Sequence, residues 1–127
     1  MAEPVQARPR ILIVEDSIFV ILTLEAMCED QGWDIVGPAT CVDEAQVLVQ
    51  ADHIDAALLD VNLGGEMSWG IAAALLARGI PFAFGTGYDV TTILPEQLKG
   101  SRIFSKPYRI HEIEHHVRLM LATVVSG

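Results

Sequence analysis

Asp55-Ala56-Ala57-Leu58-Leu59-Asp60-Val61-Asn62-Leu63-Gly64-Gly65 reads as a buried strand that ends on a carboxylate. The apolar run Ala56 to Leu59 has the length of a strand and is too short for a helix. Asp60 closes it, and the Gly pair breaks the chain shortly after. Taken alone, an acid after such a run is most simply a strand end or the start of a turn. The pattern on either side gives it another meaning.

Upstream, Ile11-Leu12-Ile13-Val14 is a continuous β-branched and leucine run, as in a strand covered on both faces, and it stops on Glu15-Asp16. Ser17 opens a helical stretch to about Gln31, with Gly32 as its stop signal. That helix is unusually apolar. Ile18, Phe19, Val20, Ile21, Leu22, Leu24 and Met27 cover more than one stripe, so it is either sunk in the core or turned toward a partner. Trp33 to Gly37 is a weaker strand with Asp34 inside it and Pro38 after it, which suits a sheet edge. Val42 to Ala51 is helical.

Downstream of the Gly pair, Ser68 can cap a helix running to about Arg78, closed by Gly79. Pro81 to Phe84 form a fourth strand, followed by Gly85-Thr86-Gly87-Tyr88. Asp89 to Pro95 place β-branched residues before a proline, which predicts a short or irregular fourth helix. Arg102 to Phe104 form a fifth strand, stopping on Ser105-Lys106-Pro107, and the last helix runs from about Arg109 to Val124. Five alternations of strand and helix call for parallel strands with right-handed crossovers, an α/β three-layer sandwich.

The chain has 127 residues, 51% of them hydrophobic, and a net charge of −9. That length suggests one domain at residues 10–125 after a polar, mobile tail at residues 1–9. The acidic balance argues against nucleic acid or an anionic membrane as direct partners. No apolar run is long enough to span a bilayer, and the first nine residues lack the apolar core of a signal peptide. Cys28 and Cys41 have no metal-ligand spacing, as expected of reduced thiols in a cytoplasmic protein. Trp33 and Trp69 read as packing residues. His111 and His115 are four apart on the last helix, but no third ligand accompanies them.

In a parallel sheet all carboxyl ends share one edge. Glu15-Asp16, Asp60, Thr86 and Lys106 each follow their own strand and therefore converge there. In doubly wound sheets the ligand crevice lies where strand order reverses. Three carboxylates in one crevice repel, at roughly 4 kcal/mol per pair for a 4 Å separation and an effective dielectric near 20. An all-oxygen cluster of this kind favours Mg²⁺. The expected ligands are Asp16 and Asp60 directly, Glu15 through water, and the backbone carbonyl of Asn62. Phosphoryl transfer needs its equatorial oxygens neutralised. Here Mg²⁺, Lys106, and the Thr86 hydroxyl with the Gly87 N–H would share that task. Asp60 is the candidate nucleophile.

These motifs resemble the receiver domain of a two-component response regulator, from about Arg10 to Val124. The resemblance implies the flavodoxin-like strand order 2-1-3-4-5, Asp60 as phosphoacceptor and Glu15-Asp16 as Mg²⁺ ligands. It also implies Thr86 as the switch hydroxyl, Lys106 as the phosphate-binding lysine and a cis Lys106–Pro107 bond. Pro81 to Tyr88, with Asp60 to Leu63 and Lys106-Pro107-Tyr108, is similar to the receivers called FAT GUY. These are common in alphaproteobacteria and often stand alone. Gly85 departs from the usual Ala, and Gly64-Gly65 stand where many receivers have a Pro, predicting a more mobile loop. Ile103 occupies the place of a common switch aromatic. Tyr88 is then the candidate to cover the site.

The function so implied is a single-domain response regulator. It would take phosphoryl from a histidine kinase or phosphotransfer protein and signal by protein contact or phosphorelay. Homodimerisation through the first or last helix would be one form of that contact. Such a domain would be no enzyme beyond its own phosphorylation and dephosphorylation. Two other readings compete. A receiver-fold binding module would leave Asp60 unmodified. A hydrolase with an aspartyl-phosphate intermediate would want a second acid two residues after the nucleophile, where Asn62 stands.

Overall fold

The computed structural model describes residues 8–125, with side chains described as far as Ala122. Most of the predicted mobile tail therefore lies outside the described residues, as does the side chain of Val124. Arg8 and Pro9 are tied down. The Arg8 guanidinium donates to the Gly32 carbonyl and faces Asp34, and the Pro9 carbonyl accepts the Asp34 N–H.

The chain runs β1 (Arg10–Val14), α1 (Ile18–Gln31), β2 (Asp34–Ala39), α2 (Val42–Ala51) and β3 (Ala56–Asp60). A two-residue hairpin comes next, β4 (Asn62–Leu63) and β5 (Glu66–Met67). Then come α3 (Trp69–Ala77), β6 (Phe82–Thr86), a 3₁₀ turn at Glu96–Leu98, β7 (Arg102–Ser105) and α4 (Ile110–Val125). The main sheet is parallel with order β2-β1-β3-β6-β7, which is 2-1-3-4-5 when its own five strands are numbered in sequence.

Period-2 alternation splits each central strand between two cores. Leu12, Val14, Leu59 and Phe84 face one way and pack with Ala45 and Val49 of α2 and Ile71 and Leu75 of α3. Ile11, Ile13, Leu58 and Ala83 face the other way, against Leu24 and Met27 of α1 and Ile113 and Val117 of α4. The result is a helix layer on each face of the sheet.

The two readings of α1 both apply, to different stripes. Ile21, Leu24, Met27 and Cys28 are buried. Ile18, Phe19 and Leu22 are exposed, Phe19 at 79%. Burial pushes the Cys28 thiol up to about 11, whereas Cys41 is exposed. Because the thiolate is the reactive species, a thiol reagent at pH 8 is expected to label Cys41 and spare Cys28 until the protein unfolds. Equal labelling rates in the folded protein would contradict this burial.

Two local expectations need correction. β2 continues through Pro38 to Ala39, because an edge strand can spare the missing N–H. Gly37 adopts φ +92° there, and a Cβ would stand 2.7 Å from the Ala39 nitrogen. Ser68 sits at the start of α3, but its side chain makes no cap hydrogen bond; its hydroxyl is buried with no hydrogen-bond partner. Gly64 and Gly65 form a tight turn. Both have positive φ, as a two-residue hairpin connection requires, and the Gly65 N–H donates to Asn62 Oδ1 at 2.7 Å. The fourth helix is short and irregular, as expected: turns and the 3₁₀ segment Glu96–Leu98.

Candidate functional site

β1 and β3 are neighbours at the centre of the sheet, and chain order reverses between them. Glu15 follows the last residue of β1, and Asp60 is the last residue of β3. Both acids are therefore delivered to the same crevice by strands fully covered on both faces. Carboxylate oxygens of Glu15, Asp16 and Asp60 all lie within 4.8 Å of one another. No other group of three or more His, Cys, Asp or Glu among the described residues is so placed. His111 instead meets Glu114 at 3.0 Å, and His116 meets Arg102 at 2.8 Å.

The three acids are unequally solvated. Glu15 is 1% exposed and Asp60 is buried, while Asp16 is exposed at the mouth. Glu15 Oε1 accepts the N–H groups of Asp16 and Ser17, each at 3.1 Å. Burial raises the Glu15 carboxyl to about 7, and Asp60 beside it adds to the shift; the Ser17 N–H and the Lys106 charge oppose it. Lys106 Nζ stands 3.4 Å from Glu15 Oε2 and 3.3 Å from Asp60 Oδ2. The ammonium thus bridges the two buried acids. Lys106 arrives from the end of β7, and its own N–H donates to the Thr86 carbonyl at 2.8 Å. The Lys106–Pro107 bond is cis, as the resemblance implied.

Thr86 ends β6 and is buried. Its hydroxyl donates to the Tyr88 carbonyl at 3.0 Å and accepts the Tyr88 N–H at 3.2 Å. Gly87, between them, is exposed. The Tyr88 ring is turned outward, 46% exposed. The Asn62 N–H reaches Asp60 Oδ1 at 3.4 Å, and the Asn62 side chain is occupied by the hairpin. Ile103 pairs with Phe84 in the β6–β7 register and borders the same surface groove as Thr86 and Tyr88. Phe104 points to the opposite face, among α1 and α4, so it cannot take the place of an aromatic at 103.

Two features escaped sequence reasoning. One is the buried state of Glu15, since neither burial nor the carboxylates facing it are visible in a Glu-Asp pair. The other is Tyr108, whose ring borders the cavity lined by Glu15, Asp60 and Gly85. Its signals were its place in Lys106-Pro107-Tyr108 and the departure at Gly85, neither of which shows the contact.

A scan against protein-family models found no match. Among curated proteins the chain is similar to the aerobic respiration control protein ArcA of Escherichia coli K12, 28% identical over 121 residues. That covers 93% of this chain and 50% of ArcA; the chain spans about half the length of the curated relatives it matches. Among solved structures it resembles a CheY-like response regulator receiver domain protein from Methanospirillum hungatei JF-1. The TM-score is 0.83 over 94% of this chain and 98% of that one, at 18% identity, a likeness of fold. It is also similar to SdrG from Sphingomonas melonis Fr1, at 36% identity and a TM-score of 0.78. That match covers 92% of this chain and 99% of SdrG. Relatives that agree in fold over nearly the whole chain, and a curated regulator aligned along the same span, place this chain in the family of response regulator receiver domains.

Proposed function

We propose that Asp60 accepts a phosphoryl group from a phosphohistidine on a histidine kinase or phosphotransfer protein. One observation carries this reading: three acids with oxygens within 4.8 Å, two of them bridged by a single lysine at 3.3 and 3.4 Å. A structural ion pair has no use for the third acid. A site that must gather charge around a transferring group does.

The residues fit Mg²⁺. The donors are all oxygen, and three carboxylates face a single lysine, which cannot balance them all. Asp16 and Asp60 would hold the ion directly, Glu15 through water, with the Asn62 carbonyl completing the set. When bound, Mg²⁺ supplies charge neutralisation to one phosphoryl oxygen. A carboxylate oxygen of Asp60 forms a bond to phosphorus as the phosphorus–nitrogen bond breaks. The donor imidazole leaves with the electron pair and takes up a proton. Lys106 moves from bridging two carboxylates to holding a second oxygen. Thr86 gives up its bonds to Tyr88 and, with the Gly87 N–H, meets the third. The Tyr88 segment is thereby released, which converts a local charge event into a change of surface.

The donor would dock on the exposed stripe of α1. Phe19, Val20 and Thr23 line a groove there with Lys106, Pro107 and Tyr108, beside the mouth of the site. That surface serves equally for passing phosphoryl onward or for contact with a second copy of the chain. The finer likeness to the FAT GUY receivers, resting on residues 81–88, belongs to this reading. Among the described residues no helix is long and apolar enough to cross a membrane.

Incubating the protein with a small phosphodonor and Mg²⁺, then weighing it intact, tests the proposal. One phosphoryl adduct is expected, absent in Asp60→Asn and absent without divalent cation. An unmodified protein, or an adduct that Asp60→Asn retains, would refute it and leave a binding module.

A further inference from the structure

Gly85 has no backbone reason to be glycine. It lies inside β6, hydrogen-bonded beside Asp60 in the β3–β6 register, and its φ is not in the left-handed region. Its reason is space. A Cβ there would overlap the Tyr108 hydroxyl oxygen outright and stand 2.5 Å from Cζ and 2.8 Å from Cε1. Real side chains do not make such contacts, so the ring and a methyl group cannot both be present. Nor can the ring slide aside within the interior. The cavity it borders offers only about 10 Å³, between Leu24, Leu58, Phe104 and Ile113.

The ring also lies beside Lys106. Tyr108 follows it by two residues, and Lys106 Nζ lies 5.9 Å from the ring centroid, within reach of a cation–π attraction. The same ammonium stands 3.3 Å from Asp60. The phenol is held protonated: burial lifts it well above its usual range, and the Glu15 and Asp60 carboxylates add to that. It is thus a neutral, bulky wall that competes with neither acid for the lysine.

We propose that Gly85 and Tyr108 are an interlocked pair, in which the notch left by the missing Cβ seats the Tyr108 ring and the ring positions Lys106 against Asp60. Tyr108 is a positioning residue, acting through Lys106. It supplies the aromatic that position 103 lacks, on the opposite face of the sheet. If the ring is expelled, its exit is the groove of about 240 Å³ beside Phe19, Val20 and Thr23, which it already borders. Displacement would therefore disturb both the lysine and the α1 surface.

The functional half of this inference rests on Asp60 being the phosphoacceptor; the interlock does not. Two measurements separate them, on wild type, Gly85→Ala, Tyr108→Leu and the double variant. The first is melting temperature. Gly85→Ala is expected to melt lower, and to cost less than half as much in the Tyr108→Leu background, because removing the ring makes room for the methyl. Additive losses would overturn the interlock. The second is the rate of adduct formation with a small phosphodonor and Mg²⁺. Gly85→Ala is expected to slow it about tenfold, as a misplaced group does, and to slow it by less than about threefold once Tyr108→Leu has already removed the ring. In a Lys106→Ala background Gly85→Ala should cost less than about twofold, since the group it misplaces is gone. Wild-type speed in Gly85→Ala, or the full tenfold loss without Lys106, would overturn the positioning role. A wild-type chain that forms no adduct refutes the phosphoacceptor reading and the positioning role with it, while the melting cycle still decides the pair.

Discussion

Lys106→Ala is expected to slow phosphoryl uptake at Asp60 about 100-fold while costing only about 1–2 kcal/mol of stability at pH 8. The two figures differ because the lysine has two tasks. In the resting protein its ammonium spans Glu15 and Asp60, both buried, at 3.4 and 3.3 Å. Removing one partner of a buried ion pair usually costs about 3–5 kcal/mol, since the other charge is stranded. Here the cost is capped. The Glu15 carboxyl already titrates near 7, so without Lys106 it takes a proton and relieves the repulsion. The stability loss should accordingly fade by pH 5. No such escape exists during phosphoryl transfer. The oxygens of the transferring group carry charge that a protonated Glu15 cannot neutralise, and a fixed cationic donor is typically worth two to three orders of magnitude. Uptake rates by intact mass and unfolding by urea at pH 5 and pH 8 measure both. Uptake within about threefold of wild type would remove Lys106 from the transfer step. A stability loss independent of pH would remove the buffering role of Glu15.

Much of this architecture was legible because it is written in short-range pattern. Ile11 to Val14 and Ala56 to Leu59 are apolar on both faces, which only a central parallel strand tolerates. Glu15-Asp16, Asp60, Thr86 and Lys106 stand where such strands stop. Topology alone then brings them together, so the crevice needed no knowledge of side-chain packing. What escaped was of a different kind. Gly85 and Tyr108 are 23 positions apart in sequence, and the departure at Gly85 says nothing of what fills the space it leaves. The β4–β5 hairpin has strands of two residues, too short for any period, so only its Gly pair was visible. Ser68 satisfied the cap rule by type and position, yet its hydroxyl is turned into the protein. Arg8 and Pro9 meet Gly32 and Asp34, partners that lie beyond α1 and outside any local pattern. Local rules name the residues that can do a thing; long-range contacts decide which of them do it.

Glu15 makes the strongest expectation about conditions. In the metal-free protein its carboxyl is lifted from 4.5 to about 7, chiefly by burial and then by Asp60. Between these values the folded chain holds a proton that the unfolded chain has released. Stability from this group is therefore complete below about pH 4.5 and is lost as pH rises through 7, the reverse of an ordinary ion-paired acid. The shift is worth about 3 kcal/mol, or roughly 10 °C in melting temperature for a chain of this size. Other acids also titrate in this chain of net charge −9, so the informative quantity is a difference. In chelator, wild type should lose roughly 10 °C more than Glu15→Gln between pH 5 and pH 8. Added Mg²⁺ at pH 8 should return most of that loss to wild type. The cation replaces the proton as the balance to three carboxylates, and binding to the folded state alone stabilises it by mass action. Parallel melting curves for wild type and Glu15→Gln would mean that Glu15 is not strained by its burial. A metal-free loss that Mg²⁺ fails to reverse would mean that the crevice, however acidic, is not a divalent cation site.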